Sequence, residues 1–263
     1  SGRRMEQENV GNNRTPRIFG GDPGPFTLGR KAKCKAIYAN VGFQATDTLR
    51  LSGGLRYTKD DKDAYVNIND SLIEEYNSRD WSETSWELAA TYEMNGRMSV
   101  YGTIQNGYQS GQFPPRPFCL FDFLDFTQPG NVSTPNCFEA NDNVTAVNYE
   151  VGLKGEPLSN LRMSLAVFLT DYSDLPYQVS TTSDAGFNTV NIIVDQTSMG
   201  VEWESSWAAT DNFILYTTMG YNDADVDDPN PAVVASLTPK WTASISPEYN
   251  MTLGSGAEIV FRG

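Results

Sequence analysis

The sequence predicts an all-β chain: an antiparallel, up-and-down transmembrane β-barrel, present in part, with tight turns at one end of its strands and long polar connections at the other. Three observations carry this. Apolar and polar residues alternate with period two, as in a strand with one apolar face: Leu49, Leu51, Leu55 and Tyr57 interleave with Arg50, Ser52, Arg56 and Thr58. Turn residues fall at Thr46-Asp47, Asn95-Gly96, Pro157 to Asn160, Ala209 to Asn212 and Gly254 to Gly256, whereas the opposite ends run through 60–77, 113–143, 180–188 and 223–236. Aromatic residues gather near the strand ends. Short turns on one side, long loops on the other and interfacial aromatics together characterise outer-membrane barrels.

Composition agrees and narrows the function classes. The chain has 263 residues, 39% of them hydrophobic, and a mean hydropathy of -0.43. In a barrel only alternate residues meet lipid, so no run approaches the ~18 consecutive apolar residues of a membrane helix. The 13 Tyr and 13 Phe suit interfacial girdles. A formal charge of -14 argues against a nucleic-acid partner, because phosphate binding draws on an excess of Lys and Arg. With no histidine, neither a Ser-His-Asp nor a Cys-His centre can be built. No catalytic residue, metal site or cofactor is therefore assigned, and the chain is not read as an enzyme.

Residues 1–30 are polar and rich in Gly and Pro, and read as a surface loop or irregular segment. Residues 31–263 read as the partial barrel domain, with about ten strands at 31–45, 48–62, 79–94, 97–112, 144–156, 160–178, 189–207, 213–225, 237–252 and 257–263. The second strand carries the alternation described above. In the third, Trp86, Leu88, Ala90, Tyr92 and Met94 alternate with Ser85, Glu87, Thr91 and Glu93. In the sixth, Leu161, Met163, Leu165, Val167 and Leu169 alternate with Arg162, Ser164 and Thr170. Gly53-Gly54 and Gly107 interrupt strands and mark bends or close backbone approach. Many spans exceed the ~9–11 residues that cross a bilayer, so hairpins are expected to project on the loop side. No secretory leader precedes these strands, and Glu258-Ile259-Val260-Phe261 begins a strand left unfinished, so the chain is expected to be an internal fragment.

The three cysteines divide in two. Cys119 and Cys137 flank one long loop, and a disulfide closing it suits an oxidising exterior, stabilising by roughly 3 kcal/mol; two unpaired thiols are the alternative. Cys34 is a lone strand residue.

The stretch Val100-Tyr101-Gly102-Thr103-Ile104-Gln105-Asn106-Gly107-Tyr108-Gln109-Ser110-Gly111-Gln112-Phe113 resembles a strand and loop start common in TonB-dependent outer-membrane receptors. Asn148-Tyr149-Glu150-Val151-Gly152-Leu153-Lys154 resembles a later strand of the same barrels, and Leu165 to Leu175, with its Asp171-Tyr172-Ser173-Asp174, the strand after it. Leu51-Ser52-Gly53-Gly54-Leu55-Arg56-Tyr57-Thr58 is similar to their Gly-Leu-Arg-Tyr strand. The resemblance implies part of a barrel of about 22 strands in the bacterial outer membrane, lacking the N-terminal plug and the TonB-contacting segment. It also implies a parent that takes up a scarce ligand, most often a ferric siderophore or similar chelate, with energy relayed by TonB through the missing N-terminal region. Outer-membrane lipid is the other expected partner. A passive porin and a soluble β-sandwich binding module are the alternatives. A sandwich would bury Trp86, Tyr92, Trp203, Trp207 and Trp241, and a barrel would point them outward.

Ligand-binding candidates come from the 113–143 loop and the strand before it. Arg116 offers charge to an anionic chelate, and Phe121 and Phe123 offer aromatic contact area; packing that holds the loop up is the structural alternative for the phenylalanines. Gln109 and Gln112 suit a water-filled interior with or without ligand. Asp223-Ala224-Asp225-Val226-Asp227-Asp228 begins like a calcium loop, but Asp228 stands where Gly is needed and Val234 where Glu is needed, leaving a solvated acidic loop.

Overall fold

The computed structural model describes residues 2–14, 25–68, 73–113, 140–183, 186–228, 233, 235 and 239–263. They form eleven strands: β1 Gly2–Arg14, β2 Pro25–Gln44, β3 Leu49–Ile68, β4 Ile73–Asn95, β5 Met98–Gln109, β6 Val144–Leu158, β7 Leu161–Ser183, β8 Gly186–Thr210, β9 Phe213–Asp227, β10 Trp241–Thr252 and β11 Glu258–Arg262. All belong to one sheet in strict chain order, so each strand pairs with its neighbours in sequence, as in an antiparallel meander. The sandwich alternative fails on this topology. Trp207 and Trp241 are 43% and 68% exposed, with no second sheet over them among the described residues.

Two differences from the sequence reading share one cause. Residues 2–14, read as irregular, are a strand paired with β2 from Gly2 opposite Ile37 to Arg14 opposite Pro25, and β2 begins at Pro25 rather than at residue 31. Two of the expected long loops are mostly strand: β3 and β4 continue to Ile68 and from Ile73, and β7 and β8 to Ser183 and from Gly186. A ladder is held by backbone hydrogen bonds. Beyond the apolar band neither face must be hydrophobic, so the extensions carry no period-two signal.

The chain divides into two compact units. The unit of residues 40–55, 86–107 and 145–263 contains the short turns. Across its strands the residues align in rows of one character. Leu153, Leu165, Trp203, Met219 and Ala243 stand side by side, as do Val151, Val167, Val201, Tyr221 and Trp241. One residue along each strand the rows turn polar: Lys154, Ser164, Glu204, Thr218 and Ser244 form one such row. Trp86, Leu88 and Tyr92 share a face of β4 by the same alternation. The apolar face ends in aromatic contacts such as Tyr221 on Trp241, with ring centroids 4.8 Å apart. The Trp203 indole N–H donates to Thr217 Oγ1 at 3.2 Å, satisfying its one polar group on an otherwise apolar surface.

Backbone irregularities sit at three places in the ladder. Gly155 has φ +144°, and a Cβ there would lie 2.0 Å from Arg97 O, so this bulge before the β6–β7 turn requires glycine. Asp174, at φ 61°, marks a second bulge in β7, and its N–H donates to Asp195 Oδ1 at 3.1 Å. Near Gly107 the β4–β5 ladder is interrupted: Trp86 N–H donates to the Asn106 side chain at 2.6 Å.

The unit of residues 1–39, 56–85 and 108–144 holds the strand ends away from those turns. Its core is small: Ala64, Trp81, Phe113, Ala140 and Val144 are buried.

Candidate functional site

Within this second unit, β3 alternates so that Arg56, Thr58, Asp60, Lys62 and Ala64 share a face. Lys62 is half-buried, and its ammonium donates to Ser110 O at 3.2 Å and Gly111 O at 2.8 Å. Burial holds this lysine below its ordinary pKa, against the opposing pull of Asp60. On β4, the Arg79 guanidinium donates to Ala140 O at 2.6 Å and pairs with Asp142. Trp81, two residues after Arg79, meets both cations, with the Lys62 nitrogen 5.4 Å and the Arg79 guanidinium 5.2 Å from its ring centre. Its ring packs edge-on against Phe113 at 6.1 Å, and each is 4% exposed.

These contacts converge on the two ends of the 114–139 connection. Gln112 N–H donates to Asn141 Oδ1 at 2.9 Å and Asn141 N–H to Gln112 O at 3.1 Å, closing a backbone clasp. Lys62 grips the chain just before Gln112, and Arg79 grips it on either side of Asn141. Tyr108 O–H donates to Asp60, whose carboxylate also meets the Cys34 thiol. Cys34 is half-buried and free.

The turn-bearing unit carries its own polar surface. Tyr101 O–H donates to Glu150 Oε1 at 2.7 Å, and the Lys154 ammonium lies 5.0 Å from the Tyr101 ring. That ring covers Gly152, where a Cβ would stand 2.4 Å from it. Near the turns an open concavity of about 730 Å³ is lined by Glu93, Lys154, Arg162, Glu204 and Tyr216 among others. Such a lining suits water or a polar partner.

Of the residues singled out in the sequence, Gln109 and Gln112 are exposed, and Gln112 takes part in the clasp through its backbone. Arg116, Phe121, Phe123, Cys119 and Cys137 lie outside the described residues. Asp223, Asp225 and Asp227 are strand residues of β9 rather than loop residues, and Asp223 pairs with Lys240 at 2.6 Å. Among the described residues no His, Cys, Asp and Glu group is placed to hold a metal ion. The sequence reading missed Lys62, Arg79 and Trp81. A usable signal was present: Trp81 stands at an odd position of β4, opposite in phase to Trp86, Leu88 and Tyr92, so it lies on the face expected to be polar.

The fold matches solved structures of outer-membrane receptors. The ferric yersiniabactin uptake receptor FyuA from Yersinia pestis superposes at a TM-score of 0.74 with 15% identity, over 98% of this chain and 37% of that one. The ferric-catecholate import receptor Fiu from E. coli K12 gives 0.65 with 17% identity, over 94% and 38%. The copper transporter OprC gives 0.63 with 13% identity, over 94% and 42%. The chain thus spans less than half the length of these proteins. No curated protein matches it in sequence. A family model described as TonB dependent receptor-like, beta-barrel, matches residues 3–262, and the chain therefore belongs to the β-barrel family of the TonB-dependent receptors, proteins of the outer membrane.

Proposed function

We propose that the intact protein imports a scarce ligand across the outer membrane, using energy relayed by TonB, and that the ligand is a ferric siderophore or similar chelate. The observation that carries this reading is the family match over nearly the whole chain. The polar row of Lys154, Ser164, Glu204, Thr218 and Ser244, on the face opposite the lipid, suits the wall of a wet import path. The cargo of FyuA and Fiu is a ferric chelate, which favours that ligand class for this chain. Arg116, Phe121 and Phe123 on the 114–139 connection, with Gln109 and Gln112 before it, are the proposed contact residues, and the base of that connection is fastened by Lys62, Arg79 and Trp81.

OprC carries copper, and this supports a second reading in which the cargo is a copper ion. Uptake assays on the full-length protein separate the possibilities. Cells expressing it are supplied with radiolabelled ferric chelates or copper, with TonB intact or deleted. Chelate uptake that needs TonB is the expected result. Copper uptake alone would replace the ligand, and uptake indifferent to TonB would favour a passive porin.

A further inference from the structure

The β4–β5 ladder runs from Asn95 opposite Met98 to Glu87 opposite Gln105 and no farther, although β4 itself extends back to Ile73. Antiparallel strands send alternate amides to opposite neighbours. Glu93 N–H donates to Thr48 O at 2.8 Å, on the β3 side, and Trp86 N–H to the Asn106 side chain at 2.6 Å, on the β5 side. Odd-numbered amides of β4 therefore face β3, and even-numbered ones face away from it.

Beyond Trp86 the even-numbered amides meet side chains rather than a strand. Thr84 N–H donates to Glu83 Oε1 at 3.2 Å and Ser78 N–H to Asn77 Oδ1 at 2.8 Å. Between them Asp80 and Ser82, both exposed, turn their N–H and C=O groups to an edge that has no ladder partner among the described residues. The chain that follows β5 does not fill this place, because Lys62 and Arg79 hold Ser110, Gly111 and Ala140 over the polar face of β3 and β4.

Counted from Asn95 at the turn, Ser85 is the eleventh residue of β4. A tilted strand crosses the hydrocarbon in about 9–11 residues, so residues 73–85 stand in water, where an open edge is tolerated. Such an edge is a template for another extended chain. Residues 73–85 carry the carboxylates of Glu74, Glu75, Asp80 and Glu83 against the single guanidinium of Arg79, which is engaged by Asp142. A second copy of the same edge would set these carboxylates against their like, which disfavours pairing. A basic strand complements them.

We propose that the β4 edge at Asp80 and Ser82 is a docking site for an extended, basic peptide segment of a partner protein, which adds to the sheet as a strand beside β4. Main-chain bonds to the outward groups of Asp80 and Ser82 supply the attachment, and Lys or Arg side chains facing the carboxylates supply the preference.

The test uses the full-length protein in nanodiscs and follows amide hydrogen exchange at Asp80 and Ser82. The probes are a peptide alternating Lys and Thr, the same peptide N-methylated along its backbone, and a peptide alternating Glu and Thr. Saturating Lys-Thr peptide should slow exchange at both amides about tenfold, with Val151 unchanged, and the other two peptides should leave all three amides as they were. Ser82→Pro removes one outward N–H and no bond to β3, and should weaken Lys-Thr binding about tenfold. Exchange indifferent to the Lys-Thr peptide, or slowed equally by its N-methylated form, would overturn strand addition, and equal slowing by the Glu-Thr peptide would overturn the basic partner. Slow exchange at Asp80 and Ser82 before any peptide is added would show the edge already held by a second copy or another part of the protein, and would overturn the proposal as well. These comparisons stand even if Ser82→Pro does not insert; unchanged binding by the inserted variant would also overturn it.

Discussion

Trp81→Ala is the substitution that best separates the loop base from the sheet that bears it. The indole is 4% exposed, packs edge-on against Phe113 and lies within about 5.5 Å of two cationic groups. Truncating a buried aromatic to alanine costs about 3–5 kcal/mol in transfer and cavity terms, and the loss of two cation–π contacts adds roughly 0.5–1 kcal/mol each. Collapse of Lys62 and Arg79 into the space recovers part of this, so about 3 kcal/mol is the expected local loss. Since 1.4 kcal/mol is a factor of ten in an equilibrium constant, local opening should become about a hundredfold more frequent. The reporters are the Gln112 and Asn141 amides, whose bonds form the clasp. Hydrogen exchange on the intact protein in detergent should show both accelerated, with the amides of Val151 and Val167 in the turn-bearing unit unchanged. No acceleration at Gln112 and Asn141 would refute the claim that Trp81 fastens the loop. Equal acceleration at Val151 and Val167 would show that the substitution unfolds the whole sheet instead.

Three further outcomes are expected. Gly155→Ala, at φ +144° and 2.0 Å from Arg97 O, should destabilise by about 1–3 kcal/mol in urea unfolding, while Gly96→Ala, with open space around it, should cost less. Replacing both Phe121 and Phe123 by Ala in the full-length protein should weaken ferric-chelate binding by roughly 1–3 kcal/mol in titration calorimetry; Asp225→Ala, exposed on β9, is the control and should change little. Cys119 and Cys137 should resist alkylation until a reductant is added and then both react, whereas labelling of both thiols without reductant would exclude the disulfide.

Legibility of the sequence followed the solvent that each segment faces. Between Leu161 and Leu169 one face meets lipid and the other water, so side chains must alternate, and strand and hairpin order could be read. Residues 2–14 and 61–68 pair through backbone bonds, which leave no mark on composition. Ser180 to Ser183 misled for the same reason. The loop base was illegible for a different reason. Lys62 and Ser110 are 48 positions apart and Arg79 and Ala140 are 61 apart, and no local pattern reports that a lysine will give its protons to main-chain carbonyls. The one local hint was Trp81, an aromatic residue on the polar phase of its strand.

This division of the chain also bears on how a receptor of this kind can change its ligand. The rows of Leu, Val, Trp and Tyr are coupled to lipid along every strand, so a polar substitution on that face meets a cost set by the membrane. The loop base is coupled to itself: Lys62 and Arg79 bind main-chain carbonyls at Ser110, Gly111 and Ala140, and a carbonyl is present whatever side chain the residue carries. The clasp between Gln112 and Asn141 needs one side-chain amide and otherwise backbone. A base fastened in this way constrains where the 114–139 connection leaves and rejoins the sheet while leaving its internal residues free to vary. If so, exchanging residues 114–139 for the corresponding segment of another receptor should preserve insertion and hydrogen-exchange protection at Gln112 and Asn141 while altering ligand preference, and loss of that protection on exchange would show that the segment itself supports the base.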